Sequence, residues 1–506
     1  MSNTLIVFVL VAYFAMLLGV SFLTSRRATN STFFLGDRKS PWYLVSFGMI
    51  GASLSGVTFI SIPGWVGNEA NQFSYMQAVF GYFFGYLIIA FVLLPLYYRL
   101  NVTSIYEYLE KRYGWISYKT GASFFLLSRV IGASVRLLLV ANVLQSILFN
   151  DLSVPFEATV VLSVALIWVY TNRGGIRTIV WTDTLQTAFM LLSLVLTVWF
   201  IADALNLGEQ GGVVSAVSES NYSRIFFFDD INSSNHFLKH FLGGMFITIG
   251  MTGLDQDMMQ KNLSCRSARD AQKNMITMAS LLVIVNLVFL GLGALLYMYA
   301  LQNPEIAYEK SDLLFSAVAM SDGANPLIGV LFLLGLIAAA YSSADSALTS
   351  LTTSVSVDFL RIEKREKNEQ ERIRKVVHII MSAIVILVVI LLRYTTEESA
   401  IGLLMKFAGF TYGPLIGMFF FGIITKRWVS DLNVLFVSIG AIALTIVAWT
   451  LSTGSPLMGN EPGVFGYYKF GFELILVNAI FAFAGLLLVS KNESKKTLAS
   501  TEILDI

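Results

Sequence analysis

The sequence carries little charge for its length. Only 13% of its 506 residues are charged, whereas 56% are hydrophobic, and soluble domains have about 25% charged residues. A soluble chain of this length would form several domains, and each domain would need a polar surface. The charge available cannot cover such surfaces. A soluble multidomain enzyme, a disordered chain, a coiled coil and a collagen are therefore excluded, and a polytopic membrane protein is indicated.

Cysteine is nearly absent, and the net charge is close to zero. The single cysteine, Cys265, excludes a disulfide framework or a cysteine-rich metal site. The net charge of +1 argues against a nucleic-acid partner. The sequence contains no P-loop, H-E-x-x-H or G-x-S-x-G motif. We therefore expect no enzyme, no organic cofactor and no transition metal, and we infer no obligate protein partner.

Apolar segments suited to crossing a bilayer recur along the chain. The first has no basic residue before it and is followed by Arg26 and Arg27, which indicates a transmembrane helix rather than a signal peptide. Two segments are interrupted by glycines, and irregular backbone at membrane depth needs protein or a water-filled cavity around it. We predict about 13 spans: 4–24, 42–67, 73–98, 118–149, 155–171, 178–205, 237–256, 274–301, 327–358, 376–394, 398–424, 432–452 and 467–490.

The distribution of Lys and Arg predicts the orientation. Basic residues concentrate in alternate loops, including the charged run 361–375, if the N-terminus is outside and the C-terminus inside. We therefore expect a multi-pass protein of the plasma membrane, which is the inner membrane in a bacterium. The basic residues left on the outer side are Arg224, Lys239, Lys310, Arg393 and Lys469.

The two interrupted segments, spans two and seven, are five spans apart. Broken helices at matching positions of two halves point to a binding site in transporters. Spans 2–6 and 7–11 would form two five-helix units of inverted topology, which resembles the LeuT-like fold. The predicted units are an extra N-terminal helix (1–30), a first repeat (31–205), a second repeat (206–430), two C-terminal helices (431–490) and a cytoplasmic tail (491–506).

Oxygen donors face this break from span nine. Gly51–Gly56 is the expected break, and its free carbonyls suit a hard cation such as Na⁺. On span nine, Ser342, Asp345, Ser346 and Thr349 fall on one helical face. These hydroxyls could instead bond to their own helix. Their number on one face favours a cation site.

The few charges inside predicted spans have open roles. Asp183 and Asp345 could bind cations, one could carry a proton, or either could pair with an arginine. Arg129 and Arg136 share one face of span four, and they could bind a substrate or pair with these acids. Thr58 and Gln77 are neutral hydrogen-bonding residues suited to a polar solute.

Five motifs resemble the sodium:solute symporter family, which includes sodium-coupled sugar, sialic acid, proline, vitamin and iodide transporters. The match runs from about residue 30 to 430, with the motifs in the expected order. The segments are 103–113 (TSIYEYLEKRY), 174–186 (GGIRTIVWTDTLQ), 255–264 (DQDMMQKNLS), 340–346 (AYSSADS) and 409–417 (GFTYGPLIG).

The resemblance implies alternating access and a set of site residues. Its sodium site would use the carbonyls of Gly51, Leu54 and Ala339 and the hydroxyls of Ser342 and Ser343. A second cation site would involve Asp183, Ser342, Asp345 and Ser346, although sialic acid members have a serine at the position of Asp345. Substrate-binding positions would be Ser55, Thr58, Gln77 and one of Arg129 and Arg136.

We therefore predict a secondary transporter that couples Na⁺ to a small polar solute, such as a sugar or a sugar acid like sialic acid. The acidic residue of the sugar branch is missing, since Ser74 falls near its position. Alternatives are a symporter for an amino acid, a monocarboxylate or an inorganic anion. An ion channel and a transporter-like membrane sensor are alternatives from other classes.

Overall fold

Helices separated by short loops make up the computed structural model, which describes residues 3–25, 29–69, 71–172, 174–209, 211–321, 325–395 and 400–492. Within these ranges the only extended pairings are isolated bridges, such as the one between Ser40 and Cys265. The predicted basic residues Arg26, Arg27, Arg173, Lys495 and Lys496, and the tail beyond 492, lie outside the described residues.

The described residues of the first half of the chain form ten helices besides two single 3-10 turns. Long apolar helices alternate with short ones at the loops. They are α1 (Asn3–Thr24), α2 (Asn30–Leu35), α3 (Trp42–Ser53), α4 (Gly56–Trp65), α5 (Tyr75–Leu100), α6 (Glu107–Arg112), α7 (Trp115–Phe149), α8 (Phe156–Thr171), α9 (Ile176–Ala204) and α10 (Gly212–Ser218).

The second half adds nine more helices of the same kind. They are α11 (Phe237–Gly253), α12 (Gln256–Leu263), α13 (Ala268–Gln302), α14 (Leu314–Met320), α15 (Pro326–Phe359), α16 (Lys367–Thr395), α17 (Ala400–Ile424), α18 (Asp431–Thr450) and α19 (Leu474–Val489).

Both interrupted segments are broken helices. The chain bends by 56° between α3 and α4 and by 64° between α11 and α12. The first break, at Leu54 and Ser55, falls inside the predicted stretch Gly51–Gly56. The second falls at Leu254 and Asp255, just after Gly253. Interrupted hydrophobic runs thus identified both breaks.

The number of membrane spans remains a prediction. In the described part of the chain, nine helices are long and apolar enough to cross a bilayer, and the two bent pairs raise this number to 11. The shorter apolar helices α8 and α19 coincide with the predicted spans 155–171 and 467–490. The orientation and the boundaries of the two repeats also stay predictions.

The predicted cation ligands lie on three packed helices, α3, α9 and α15. Helix α9 packs on both α15 and α3, and α15 also contacts α4 and α7. Almost every side chain of α15 from Leu336 to Ser354 is buried. Helix α1, by contrast, exposes large apolar side chains such as Phe8, Val11 and Phe22, as a helix facing lipid does. The polar face of α15 is therefore buried among other helices.

Candidate functional site

The break after α3 brings backbone close to α9. Leu54 has φ −89° and ψ 77°, outside the helical region, and Ser55 is extended. Gly51 packs so tightly on Thr187 that a Cβ there would overlap the threonine hydroxyl. Its N–H donates to Thr187 Oγ1 at 3.1 Å. Glycine at position 51 therefore allows the broken helix to lie directly against α9.

The hydroxyl face of α15 meets the same helix. Ser342 is buried and donates a hydrogen bond to Asp183 Oδ1 of α9 at 2.7 Å. The Asp183 side chain in turn packs on Gly48, where a Cβ would lie 3.0 Å from its own Cβ. Ser343 donates to the carbonyl of Ala339 at 3.3 Å, so these two predicted ligands are adjacent. Asp183 thus joins the broken helix α3 to the hydroxyl face of α15.

Lys261 is a residue of this cluster that the sequence did not identify. Its position after a short apolar run suggested a cytoplasmic loop, but α12 continues to Leu263 and carries it into the core. Its Nζ lies 2.7 Å from Asp183 Oδ2, and both side chains are about 1% exposed. The spacing of Asp257 and Lys261, one helical turn apart, was the available signal.

Asp345 adds a second carboxylate to this cluster. Tyr170 of α8 donates to its Oδ2 at 2.9 Å, and the backbone N–H of Ser346 donates to its Oδ1. Asp183, Asp345 and Lys261 together carry one net negative charge if all three are ionised. Such a charge inside a membrane protein is costly unless a cation balances it.

In the described part of the chain, oxygen atoms without a hydrogen-bond partner lie on the hydroxyl face of α15 and on α9. Ser346 Oγ and Thr349 Oγ1 are buried and have no hydrogen-bond partner among the described residues. Gln186 Oε1 on α9 also lacks one within that part of the chain. Neutral and anionic oxygens are the donor set that a hard cation such as Na⁺ prefers. The residues present therefore fit a sodium ion.

A cavity of about 120 Å³ adjoins the break. Ser55 and Thr58, both predicted to bind substrate, line it. Tyr75, Tyr82 and Tyr86 of α5 form an aromatic wall, and the hydroxyls of Tyr75 and Tyr82 lie 3.0 Å apart. The cavity therefore combines aromatic surface with hydrogen-bonding groups, as small-molecule sites do.

Both predicted arginines reach this cavity, but only one is ion-paired. Arg129 forms an ion pair with Asp257 of α12 and lies 3.7 Å from Asp255 Oδ2. Asp255 also accepts a hydrogen bond from Tyr412 of α17 at 2.5 Å. Arg136, two helical turns further along α7, lines the cavity, and within the described residues it has no ion pair and its Nε has no hydrogen-bond partner. The two arginines therefore differ in how much of the guanidinium group remains free to bind a ligand.

Gln77 lies elsewhere. Its side chain is fully buried and its amide donates to the Asn235 carbonyl at 3.0 Å. Its Oε1 accepts from the N–H of Phe227 at the same distance. These bonds tie α5 to the loop before α11. The structure thus does not bring Gln77 to the cavity that holds Ser55 and Thr58.

Sequence comparison identifies the family. The profile of the sodium:solute symporter family matches residues 33–452. The chain belongs to this family. It is therefore a sodium-coupled secondary transporter in a membrane, with no enzymatic role, and the expectation drawn from the five motifs is confirmed.

Individual relatives agree with this membership. The sodium/sialic acid symporter NanT of Aliivibrio fischeri is 26% identical over 427 residues, which cover 81% of this chain and 81% of NanT. The sodium/sialic acid symporter SiaT of Proteus mirabilis is 26% identical over 430 residues, 82% of this chain and 83% of SiaT.

The fold also has a solved counterpart. A Na⁺-coupled sialic acid symporter in a substrate-bound, outward-open state matches with a TM-score of 0.78 and 22% identity. The match covers 97% of this chain and 99% of the other. This family member therefore has the all-α, LeuT-like fold that the paired broken segments predicted.

Proposed function

We propose that this symporter couples Na⁺ to the uptake of a small organic acid, with a sugar acid such as sialic acid as the first candidate. The observation that carries the proposal is the Arg136 guanidinium, which lines the cavity without an ion pair in the described part of the chain. Charge-assisted hydrogen bonds to a carboxylate would use its donors. The names of the two bacterial relatives, both sialic acid symporters, support this substrate class.

In this proposal Arg136 binds the substrate carboxylate and Arg129 has a structural role. Arg129 already has the carboxylates of Asp257 and Asp255 around it. Ser55 and Thr58 then offer hydroxyls to the rest of the solute, and the tyrosines of α5 pack against its apolar face. The mixture of one cation, hydroxyls and rings suits an anionic polyol better than an apolar solute.

We place the coupling sodium between the break after α3 and the hydroxyl face of α15. Gly51, Leu54 and Ala339 would supply carbonyls, and Ser342 and Ser343 hydroxyls. A second cation site beside it would use Asp183, Ser342, Asp345 and Ser346. Sodium binding would hold α3 against α15 and so order the cavity next to the break. Separation of these helices in the inward-open state would release both solutes.

Uptake into proteoliposomes tests the substrate class. N-acetylneuraminate should accumulate when Na⁺ is outside, and K⁺ should not replace it. Arg136→Gln should reduce uptake at least tenfold, because the carboxylate loses its cationic partner. Arg393→Gln, which removes an arginine bonded to Asn142 and absent from the cavity lining, is the matched control and should retain uptake.

A panel of solutes completes the test. Neutral hexoses should compete poorly for uptake, whereas monocarboxylates and other sugar acids should compete in proportion to their fit. If hexoses compete as well as sialic acid, or if Arg136→Gln transports normally, the organic-acid proposal is wrong.

A further inference from the structure

A second cavity lies at the far end of α4. It has a volume of about 490 Å³, within the usual range of small-molecule sites. None of its lining residues lines the central cavity. The two cavities lie at successive turns of α4: Thr58 lines the central cavity, and Ser61 and Trp65 line the second one. We call this second cavity the vestibule, and it lies on the side predicted to be extracellular.

Close backbone packing gives the vestibule its shape. A Cβ at Gly64 would overlap the carbonyl of Ser311, and one at Gly67 would overlap the ring of Tyr297. Tyr297 Oη donates to the Gly64 carbonyl at 2.9 Å. The end of α4 is therefore held directly against α13 and the segment Ser311–Leu313.

The vestibule combines one acid with aromatic rings. Asp312 forms no ion pair with any Lys, Arg or His of the described residues, and Lys310 acts on it only through its positive charge. Burial raises the pKa of the Asp312 carboxyl above its ordinary value, and Ser61 and Lys310 only oppose this effect. Its carboxylate therefore has no ion-pair partner in the described part of the chain. The rings of Trp65, Tyr297 and Tyr308 line the same space, with Tyr297 and Tyr308 6.3 Å apart.

We propose that the vestibule binds small organic cations, with the ammonium group at Asp312 and its alkyl groups against the rings of Trp65, Tyr297 and Tyr308. A carboxylate among aromatic faces favours an alkylammonium, because cation–π attraction and apolar contact act on the same ligand. A hydrated sodium ion gains less from the rings. This site is independent of the proposed organic-acid substrate, since it shares no residue with the central cavity.

Calorimetry on the full-length protein in nanodiscs tests the proposal. Tetramethylammonium should bind saturably, and tert-butanol, a neutral molecule of similar shape, should bind at least tenfold more weakly. Asp312→Asn should weaken tetramethylammonium binding at least tenfold. Glu305→Gln removes an exposed acid from the same loop outside the vestibule and should change nothing. Equal binding of the two ligands, or unchanged binding to Asp312→Asn, would overturn the proposal.

Two further variants locate the site and control for folding. Tyr308→Leu keeps the acid and removes an exposed ring, so it should also weaken binding if the rings contribute. Arg136→Gln alters only the central cavity and should leave tetramethylammonium binding unchanged. Loss of binding in Arg136→Gln, or displacement of tetramethylammonium by an equal concentration of Na⁺, would show a different site or a different ligand class.

Discussion

At the scale of single residues, Lys261 sets the charge of the proposed ion site. Its ammonium is the cation that the described chain supplies to Asp183, at 2.7 Å, in a place where both groups are almost inaccessible to solvent. Removing one partner of a buried ion pair typically costs about 3–5 kcal/mol, because the other charge is left unbalanced. Asp345, nearby on α15, increases that cost in this protein.

Lys261→Gln should therefore lower the melting temperature in K⁺ buffer. Sodium should then raise the melting temperature of the variant more than that of the natural protein, because two carboxylates remain without their ammonium. Thermal unfolding in matched Na⁺ and K⁺ buffers measures both effects. Lys375→Gln, which breaks an exposed pair with Glu371, is the control and should leave the melting temperature nearly unchanged. Equal melting curves for Lys261→Gln and the natural protein would remove Lys261 from this role.

Residue roles were only partly predictable from the sequence. The family resemblance grouped Asp183 with Ser342, and the folded chain joins them by a hydrogen bond. Arg129 and Arg136 could not be separated, because seven residues place them on one helical face. What distinguishes them is Asp257, which lies on α12 and reaches Arg129 only in the folded protein.

At the scale of helices, the packing of α3 on α9 should control sodium binding. Gly51→Ala would push its methyl group into the Thr187 hydroxyl and separate the broken helix from α9. We expect a lower sodium affinity, measured as a rightward shift of the Na⁺ titration of uptake. Adding Thr187→Ala to this variant should partly restore the sodium affinity, because the Cβ of Ala at position 51 would then lie 3.2 Å from the Cβ at position 187. Gly19→Ala, with no neighbour within 4 Å, should behave like the natural protein.

The positions of the helix breaks were easier to predict from the sequence than the helix α12 that follows the second break. Glycines in spans two and seven marked both breaks, because backbone without side chains can approach neighbouring helices closely. Helix α12 was missed as a buried element, since Gln256, Asp257, Gln260, Lys261 and Asn262 give it the composition of a loop. Asp257 and Lys261 are paired with residues of other helices, and sequence periodicity cannot identify those partners.

At the scale of the whole molecule, the distribution of basic residues predicts an outside N-terminus. The lone cysteine makes this testable, because Cys265 is buried and should give little background labelling. Ser218→Cys, in the loop predicted outside, should react with an impermeant maleimide in intact cells. Glu366→Cys, in the basic linker, should react only after permeabilisation. The reverse pattern would invert the topology.

Coupling between sodium and solute is also a property of the whole molecule. If Na⁺ raises solute affinity by some factor, the solute must raise Na⁺ affinity by the same factor, and such factors are typically about 5- to 150-fold. Calorimetric titration of each ligand, with and without the other, should give two equal factors. Ser343→Ala should reduce both together, because it removes a hydroxyl that we place at the sodium and leaves Arg136 in the cavity intact. A variant that lost solute affinity equally in Na⁺ and K⁺ would instead place Ser343 in the solute site, and α15 would no longer be the helix through which the two ligands communicate.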